Sequence, residues 1–166
     1  MNNNTHVLSI LVENHAGVLN RVSGLFSRRT YNIESLSVGV TENPDISRMT
    51  VVTSTDNDTL VQIVNQVSKL IDVLDITILD TDNAVLREHV LVKVNASDMA
   101  GVMQICNVFR ANIVDISPDF MTAELTGAPN KINAFITLME QYEIKDLVRT
   151  GLTGLLRGVK LNLIII

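Results

Sequence analysis

The sequence has little cysteine, few aromatic residues and no basic run, and each shortage narrows what the protein can be. Cys106 is the single cysteine among 166 residues, which excludes an internal disulfide and favours a reducing compartment. Aromatic residues make up 4% of the chain and hydrophobic residues 46%, so the core must be mainly aliphatic. The 13 basic residues are scattered and the net charge is −5, which disfavours nucleic-acid binding through a basic face.

The sequence also lacks a membrane-spanning run and a signal peptide. No stretch reaches the roughly 18 uncharged apolar residues that a spanning helix needs. The start has no basic residues followed by a long apolar stretch, as a signal peptide would. The terminal LNLIII at 161–166 is too short to span and predicts a strand or a buried tail. The expectation is a soluble, cytoplasmic protein.

Residue types that carry catalysis or bind metals are present, but they are not grouped along the chain. His6, His15 and His89 stand at metal-ligand spacing neither from one another nor from Cys106. No Gly-x-Ser-x-Gly, Walker A or dinucleotide-binding motif occurs. We therefore predict no catalytic residue and no metal site, and a small enzyme is a disfavoured interpretation.

The first half of the sequence predicts the order strand, helix, strand, strand, helix, strand. Strands are indicated by apolar or alternating runs, and helices by apolar residues at a spacing of three and four. The predicted strands are 6–13, 31–41, 47–54 and 73–79, with helices over 18–26 and 57–70. The second half repeats the order, with strands at 88–95, 112–117, 120–125 and 144–149 and helices over 98–109 and 129–142.

Matching landmarks in the two halves indicate an internal duplication. Glycine and phenylalanine are nine residues apart in 17–26 and eight apart in 101–109, and Asn-Ile at 32–33 answers Asn-Ile at 112–113. Each half predicts a βαββαβ unit, in which two helices cover one face of a four-stranded antiparallel sheet. The predicted fold class is therefore α+β, with two ferredoxin-like units in tandem.

A polar, turn-prone stretch separates the halves. We predict one domain over 1–80, a linker over 81–86 and a second domain over 87–166. Units of this size bury little core alone, and their sheet edges and open faces need cover. Pairing with an identical chain through sheet edges would supply it, so a homodimer is expected.

The loop that follows the first predicted strand is the most informative segment for function. A helix start presents unpaired backbone N–H groups, which together with the helix dipole favour a carboxylate. Gly17 allows close backbone approach, and Asn14 offers both a donor and an acceptor, which suits a zwitterionic amino acid. The alternative is an asparagine cap and a loop glycine that bind no ligand.

An ordered set of motifs then resembles a known family. The stretch ILVENHAGVLNRVSGLFSRRTYNIESLSV at 10–38, followed by SRMTVV at 47–52, is similar to the N-terminal half of acetolactate synthase regulatory subunits. REHVLVKV at 87–94, NIVDISP at 112–118 and RTGLTGLLRG at 149–158 resemble later segments of that family. The resemblance covers nearly the whole chain.

The resemblance implies an N-terminal ACT domain that dimerises and holds an amino-acid effector, usually L-valine, between two chains. Backbone N–H groups of one chain would bind the carboxylate, the two asparagines would bind the ammonium or fix the facing loops, and aliphatic side chains would hold the isopropyl group. One chain would supply Asn14, His15, Ala16, Gly17 and Val18, and its partner Asn32, Ile33, Glu34 and Leu36. Otherwise Asn32 starts a strand, Ile33 is core and Glu34 is solvated.

The resemblance also implies a partner. The chain would activate a catalytic large subunit and mediate feedback inhibition by valine in branched-chain amino-acid biosynthesis. Thiamine diphosphate, Mg²⁺ and FAD would belong to that subunit, and this chain would bind no cofactor. The alternative is a free-standing tandem ACT sensor acting in transcriptional control, which the lack of a basic recognition helix disfavours.

Two positions depart from the family pattern. Thr30 stands where the family usually has glycine, so a positive φ there would strain a β-branched residue. His15 and Ala16 stand where the family more often has an acidic residue and then serine, so valine binding is expected to be altered or weakened.

Overall fold

The computed structural model of the chain describes residues 5–80 and 82–158. The chain divides into a first unit, residues 1–86 with 152–166, and a second unit, residues 87–151. The predicted strand or tail at 161–166 lies outside the described residues. None of the helices within the described ranges is long and apolar enough to cross a membrane.

Nine strands, four α-helices and one short 3₁₀ helix make up the described chain. In order they are β1 (Thr5–Glu13), α1 (Val18–Arg28), β2 (Ser35–Val40), β3 (Ile46–Ser54), α2 (Asn57–Val67), β4 (Val73–Leu79), β5 (Ala84–Asn95), α3 (Met99–Phe109), β6 (Asn112–Ile116), β7 (Phe120–Gly127), α4 (Pro129–Met139), the 3₁₀ helix Glu140–Tyr142, β8 (Ile144–Arg149) and β9 (Thr153–Leu156). The order βαββαβ occurs twice, which confirms the predicted α+β class and the two ferredoxin-like units.

The first unit has an antiparallel sheet in the order β2-β3-β1-β4, so β2 and β4 are its edges. Side chains alternate between the two faces of a strand, and Leu8 and Ile10 of β1 face the helices. There they join Phe26 of α1 and Ile63 of α2 in an aliphatic core, all at 1% exposure or less. One apolar stripe on each helix thus closes one face of the sheet.

Residues 152–156 cover part of the other face of this sheet. Val7, Val52 and Leu79, which point away from the helices, form a second cluster with Leu152 and partly buried Leu156. Two hydroxyl groups of β2 fix this segment by its backbone. The Oγ of Ser37 donates to the Leu152 carbonyl at 2.8 Å, and the Leu152 N–H donates to the Oγ of Ser35 at 3.1 Å.

These contacts change the predicted boundaries. Strand β5 begins at Ala84, inside the predicted 81–86 linker, because Ala84 and Leu86 are buried in the same apolar cluster. Residues 152–158, predicted to belong to the second domain, pack in the first unit for the same reason. Both boundaries differ from the prediction because apolar side chains are buried there, and the polar composition of the stretch does not reveal that burial.

The second unit repeats the sheet order as β6-β7-β5-β8. Helices α3 and α4 pack on this sheet, and Val92 of β5 joins Ile132 and Phe135 of α4 in the core. At its margin Glu88 is 5% exposed and receives two hydrogen bonds from Arg149, at 2.7 and 2.6 Å. This paired geometry compensates the burial of the carboxylate.

Candidate functional site

Helix α1 is preceded by a glycine whose backbone is left-handed. Gly17 is the residue before the helix, with φ 92° and ψ −14°, a conformation that glycine adopts without a Cβ penalty. No side chain caps this helix start, whereas Asp56 caps α2 by accepting from the Thr59 N–H at 2.7 Å. The Val18 N–H makes a long hydrogen bond of 3.5 Å to the His15 carbonyl, and the other first-turn N–H groups of α1 are left to solvent or to an anion.

The second unit closes the corresponding helix start with its own side chain. Asp98 precedes α3 and accepts from the Gly101 N–H at 3.0 Å. Gly101 lies inside α3, and a Cβ there would meet Asp98 Oδ2 at 2.3 Å and the Tyr142 hydroxyl at 2.4 Å. The sequence paired Gly101 with Gly17, but structurally Gly17 corresponds to Asp98. An open N-terminus is thus a property of α1 and not of α3.

Asn14 ties the β1–α1 loop to the turn between β2 and β3. Its Nδ2 donates to the Pro44 carbonyl at 2.8 Å, and its Oδ1 accepts from the Ser47 hydroxyl at 2.9 Å. Its backbone N–H donates to the Asp45 carbonyl at 2.8 Å. Since an amide group has two N–H donors and two lone pairs, one of each remains for another partner.

His15 lies among charged groups on the exposed side of the same loop. Its Nε2 is 3.1 Å from Glu13 Oε2 and 3.2 Å from Asp72 Oδ1. A hydrogen bond with the Ala16 carbonyl raises the pKa of His15, and Glu13 and Asp72 raise it further. When it is protonated, His15 pairs with both carboxylates and so holds the loop against the turn before β4.

Asp72 is the centre of this cluster, and the sequence did not point to it. Its side chain is 5% exposed, and Arg21 in α1 donates to both carboxylate oxygens at 3.0 and 2.7 Å. Ligand atoms of Glu13, His15 and Asp72 lie within 4.8 Å of one another. Because Arg21 occupies both oxygens of Asp72, the cluster is an ion-pair network that orients the loop.

Helix α1 ends in a turn that forces Thr30 into a left-handed conformation. The Tyr31 N–H donates to the Phe26 carbonyl at 3.0 Å and the Thr30 N–H to the Ser27 carbonyl at 3.2 Å, which is the Schellman pattern. The rings of Phe26 and Tyr31 pack edge to face, with centroids 6.1 Å apart. Thr30 has φ 57°, so the predicted strain at this β-branched residue is present.

The four residues expected from a partner chain lie after this turn, where β2 begins. Asn32 and Glu34 are exposed; the Asn32 carbonyl accepts from Thr53 Oγ1 at 2.7 Å, and the Glu34 N–H donates to the Val52 carbonyl at 2.8 Å. Ile33 and Leu36 are half-buried and pack against the core of the first unit. Only part of either aliphatic side chain is therefore available to a ligand.

Strand β2 carries these residues to an edge of the sheet. Val38 and Val40 on it are 47% and 60% exposed. An edge strand with exposed valines has backbone groups and apolar surface available to a further strand. Asn32, Ile33 and Glu34 stand directly before this edge strand, and Leu36 belongs to it.

Two protein families match the chain, and together they cover most of it. The family described as "AHAS small subunit-like ACT domain" matches residues 8–75. The family described as "Small subunit of acetolactate synthase" matches residues 87–158.

Similar proteins span nearly the same length. The chain is 47% identical over 161 residues to the probable acetolactate synthase small subunit of Methanothermobacter thermautotrophicus, covering 95% of this chain and 96% of the relative. It is 46% identical over 156 residues to the acetolactate synthase small subunit of Mycolicibacterium smegmatis, covering 93% and 92%. The crystal structure of the acetolactate synthase small subunit from Thermotoga maritima is 36% identical, covers 94% of this chain and 99% of its own, and superposes with a TM-score of 0.87.

Proposed function

The chain belongs to the acetolactate synthase small-subunit family, and we propose that it is a regulatory subunit which binds a branched-chain amino acid and controls a catalytic large subunit. Membership confirms the resemblance found in the sequence. The amino-acid effector is L-valine or a close analogue, and the outcome of its binding is feedback inhibition. The relatives support a synthase subunit over a sensor acting in transcriptional control.

The observation that carries the effector proposal is the uncapped start of α1 beside Gly17. The backbone N–H groups of residues 15–18, in the loop before α1 and at its first residue, bind the effector carboxylate, because a helix N-terminus favours negative charge. The free N–H and lone pair of Asn14 face the effector's polar groups or the facing loop. Val18 is buried and serves the core.

The rest of the effector site comes from a second copy of the chain. Asn32 supplies an exposed amide, and Ile33, Glu34 and Leu36 follow it at the start of the edge strand. Edge pairing through β2 forms the homodimer and covers Val38 and Val40. A ligand that contacts both chains biases how they pair, and regulates through its different affinity for two arrangements.

The catalytic partner carries the chemistry. Thiamine diphosphate, Mg²⁺ and FAD are assigned to that large subunit, and no catalytic role or cofactor is assigned to this chain. The site of action is the cytoplasm, as the single reduced cysteine also suggests.

The test is reconstitution. The chain is mixed with the large subunit of its own synthase, and acetolactate formation is measured with and without valine. We expect the chain to raise the turnover of the large subunit and valine to reverse that increase. No change of turnover on addition of the chain would refute the regulatory role, and a valine-independent increase would refute the effector proposal alone.

A further inference from the structure

A cavity of about 180 Å³ lies in the first unit on the sheet face that points away from α1 and α2. Ser9, Arg48 and Thr77 supply its polar wall and Leu79, Leu155 and Leu156 its apolar wall. Pockets for drug-sized molecules are roughly 300–1,000 Å³. The volume therefore restricts an occupant to a smaller molecule.

The polar wall contains the guanidinium of Arg48, which has no ion-pair partner among the described residues. An Nη of Arg48 donates to Ser9 Oγ at 2.6 Å, and no carboxylate among the residues that the structure describes lies within ion-pair distance of this guanidinium. The other guanidinium N–H groups remain as donors, and so does the Ser9 hydroxyl hydrogen. Ser9 is 2% exposed, so this donor pair is fixed at the floor of the cavity.

The apolar wall comes from two parts of the chain. Leu79 is 5% exposed and belongs to β4, while Leu155 and Leu156 belong to β9. None of the six lining residues named above is itself a carboxylate, and an aliphatic tail fits this wall. The Thr77 hydroxyl donates to Asp75 Oδ2 at 3.2 Å, so the donors left for a ligand are those of Arg48 and Ser9.

We propose that this cavity binds a small aliphatic carboxylate, with the carboxylate on Arg48 and Ser9 and the hydrocarbon tail against the three leucines. A guanidinium donates two parallel hydrogen bonds to a carboxylate, which sets the orientation of the ligand. The cavity shares no residue with the proposed effector site. It also gives a role to Arg48, the one residue of the SRMT motif that is neither buried nor bonded to Asn14.

The test is a titration of the full chain followed through the backbone amide resonances of Ser9, Arg48 and Thr77. The probe is 3-methylbutanoate, and its neutral isostere is 3-methylbutan-1-ol. We expect saturable shifts at these amides with the acid and at least tenfold weaker binding of the alcohol. Equal affinity for the two, or no saturable shift with the acid, would overturn the proposal.

Two variant pairs separate binding from folding. Arg48→Gln is expected to weaken 3-methylbutanoate binding at least tenfold, and Arg28→Gln, at an exposed position of α1, to leave it unchanged. Leu155 is 58% exposed, so both Leu155→Glu and Leu155→Gln should fold. The Glu variant places a carboxylate beside Arg48 and should bind the acid at least tenfold more weakly than the Gln variant of the same shape. Equal binding by the two Leu155 variants contradicts the assignment.

Discussion

The hydroxyl of Ser47 donates a hydrogen bond of 2.9 Å to the side-chain oxygen of Asn14. This bond joins the loop before α1 to the beginning of β3, thirty-three residues further along the chain. Asn14 and Ser47 both belong to motifs that the sequence resemblance singled out. The structure shows that these motifs meet, and that Asn14 is held in place from two sides by Pro44 and Ser47.

Ser47→Ala should weaken valine binding without removing any group that contacts valine. The lost hydrogen bond is worth about 0.5–1.5 kcal/mol, which corresponds to roughly a two- to tenfold rise in Kd. Calorimetry with valine measures it, and Ser68→Ala, which removes an exposed hydroxyl at the end of α2, is the control. In a double-mutant cycle, Asn14→Ala and Ser47→Ala should be non-additive, and strict additivity would contradict the coupling.

Gly17→Asp should abolish the valine response while activation of the large subunit is retained. The added carboxylate lies at the proposed carboxylate-binding N–H groups and repels the ligand. Gly17→Asn has nearly the same shape and tolerates the left-handed backbone comparably, so it reports the strain alone. Acetolactate assays at increasing valine concentration compare the two. If Gly17→Asn loses the response as completely as Gly17→Asp, charge is not the cause.

Thr30→Gly should stabilise the protein. A non-glycine residue in the left-handed region destabilises the folded state by roughly 1–2 kcal/mol. Relief of this strain by glycine is partly offset, because glycine also raises the conformational entropy of the unfolded chain. We expect a net rise of about 0.5–1 kcal/mol in the free energy of unfolding, measured by urea denaturation. Thr30→Ala keeps the strained φ of 57° and should give no gain. An equal gain from Ala and Gly would rule out relief of strain.

His15 should titrate above its ordinary pKa. The hydrogen bond to the Ala16 carbonyl is the first cause, and Glu13 and Asp72 add to it. Because the folded state raises the pKa, the stabilisation by His15 is full below the unfolded pKa, near 6.5, and is lost as pH rises through the folded value. Ring-proton NMR on the folded and urea-unfolded chain measures the difference. Glu13→Gln should lower the folded midpoint, and a folded midpoint at or below the unfolded one would contradict the network.

Cys106 should resist alkylation in the native state. Its thiol is 2% exposed, and burial raises the pKa of Cys106, which reduces the reactive thiolate. Iodoacetamide should react at least about a hundredfold more slowly than in the unfolded chain. The control is a Cys106→Ala chain carrying Val108→Cys, because Val108 is 75% exposed. Comparable rates for the two cysteines would place Cys106 outside the core.

Secondary structure and local strain were largely readable from the sequence. Apolar periodicity predicted every helix, since the residues that alternate or recur are those that must leave water. The positive φ of Thr30 was predictable from the glycine usual at that position. The pairing of Gly17 with Gly101 failed, because spacing does not report whether a glycine precedes a helix or lies inside it.

Contacts between groups far apart in the sequence could not be predicted from the sequence. Asp72 carries no local motif, and its contacts with Arg21 and His15 arise because β4 lies beside β1. The return of residues 152–158 to the first unit was likewise missed. No sequence pattern within that segment predicts which of the two sheets it will pack against.

By itself the sequence determined the two βαββαβ units, the aliphatic core and the family, because periodicity and ordered motifs are local properties of the chain. Tertiary structure decided that the start of α1 stays uncapped while that of α3 is capped, what holds Asn14 and His15 in place, and where Arg48 meets Ser9 and the leucines of β9. Those relationships depend on strand order and on burial across long sequence separations, and such distances are set only when the chain packs.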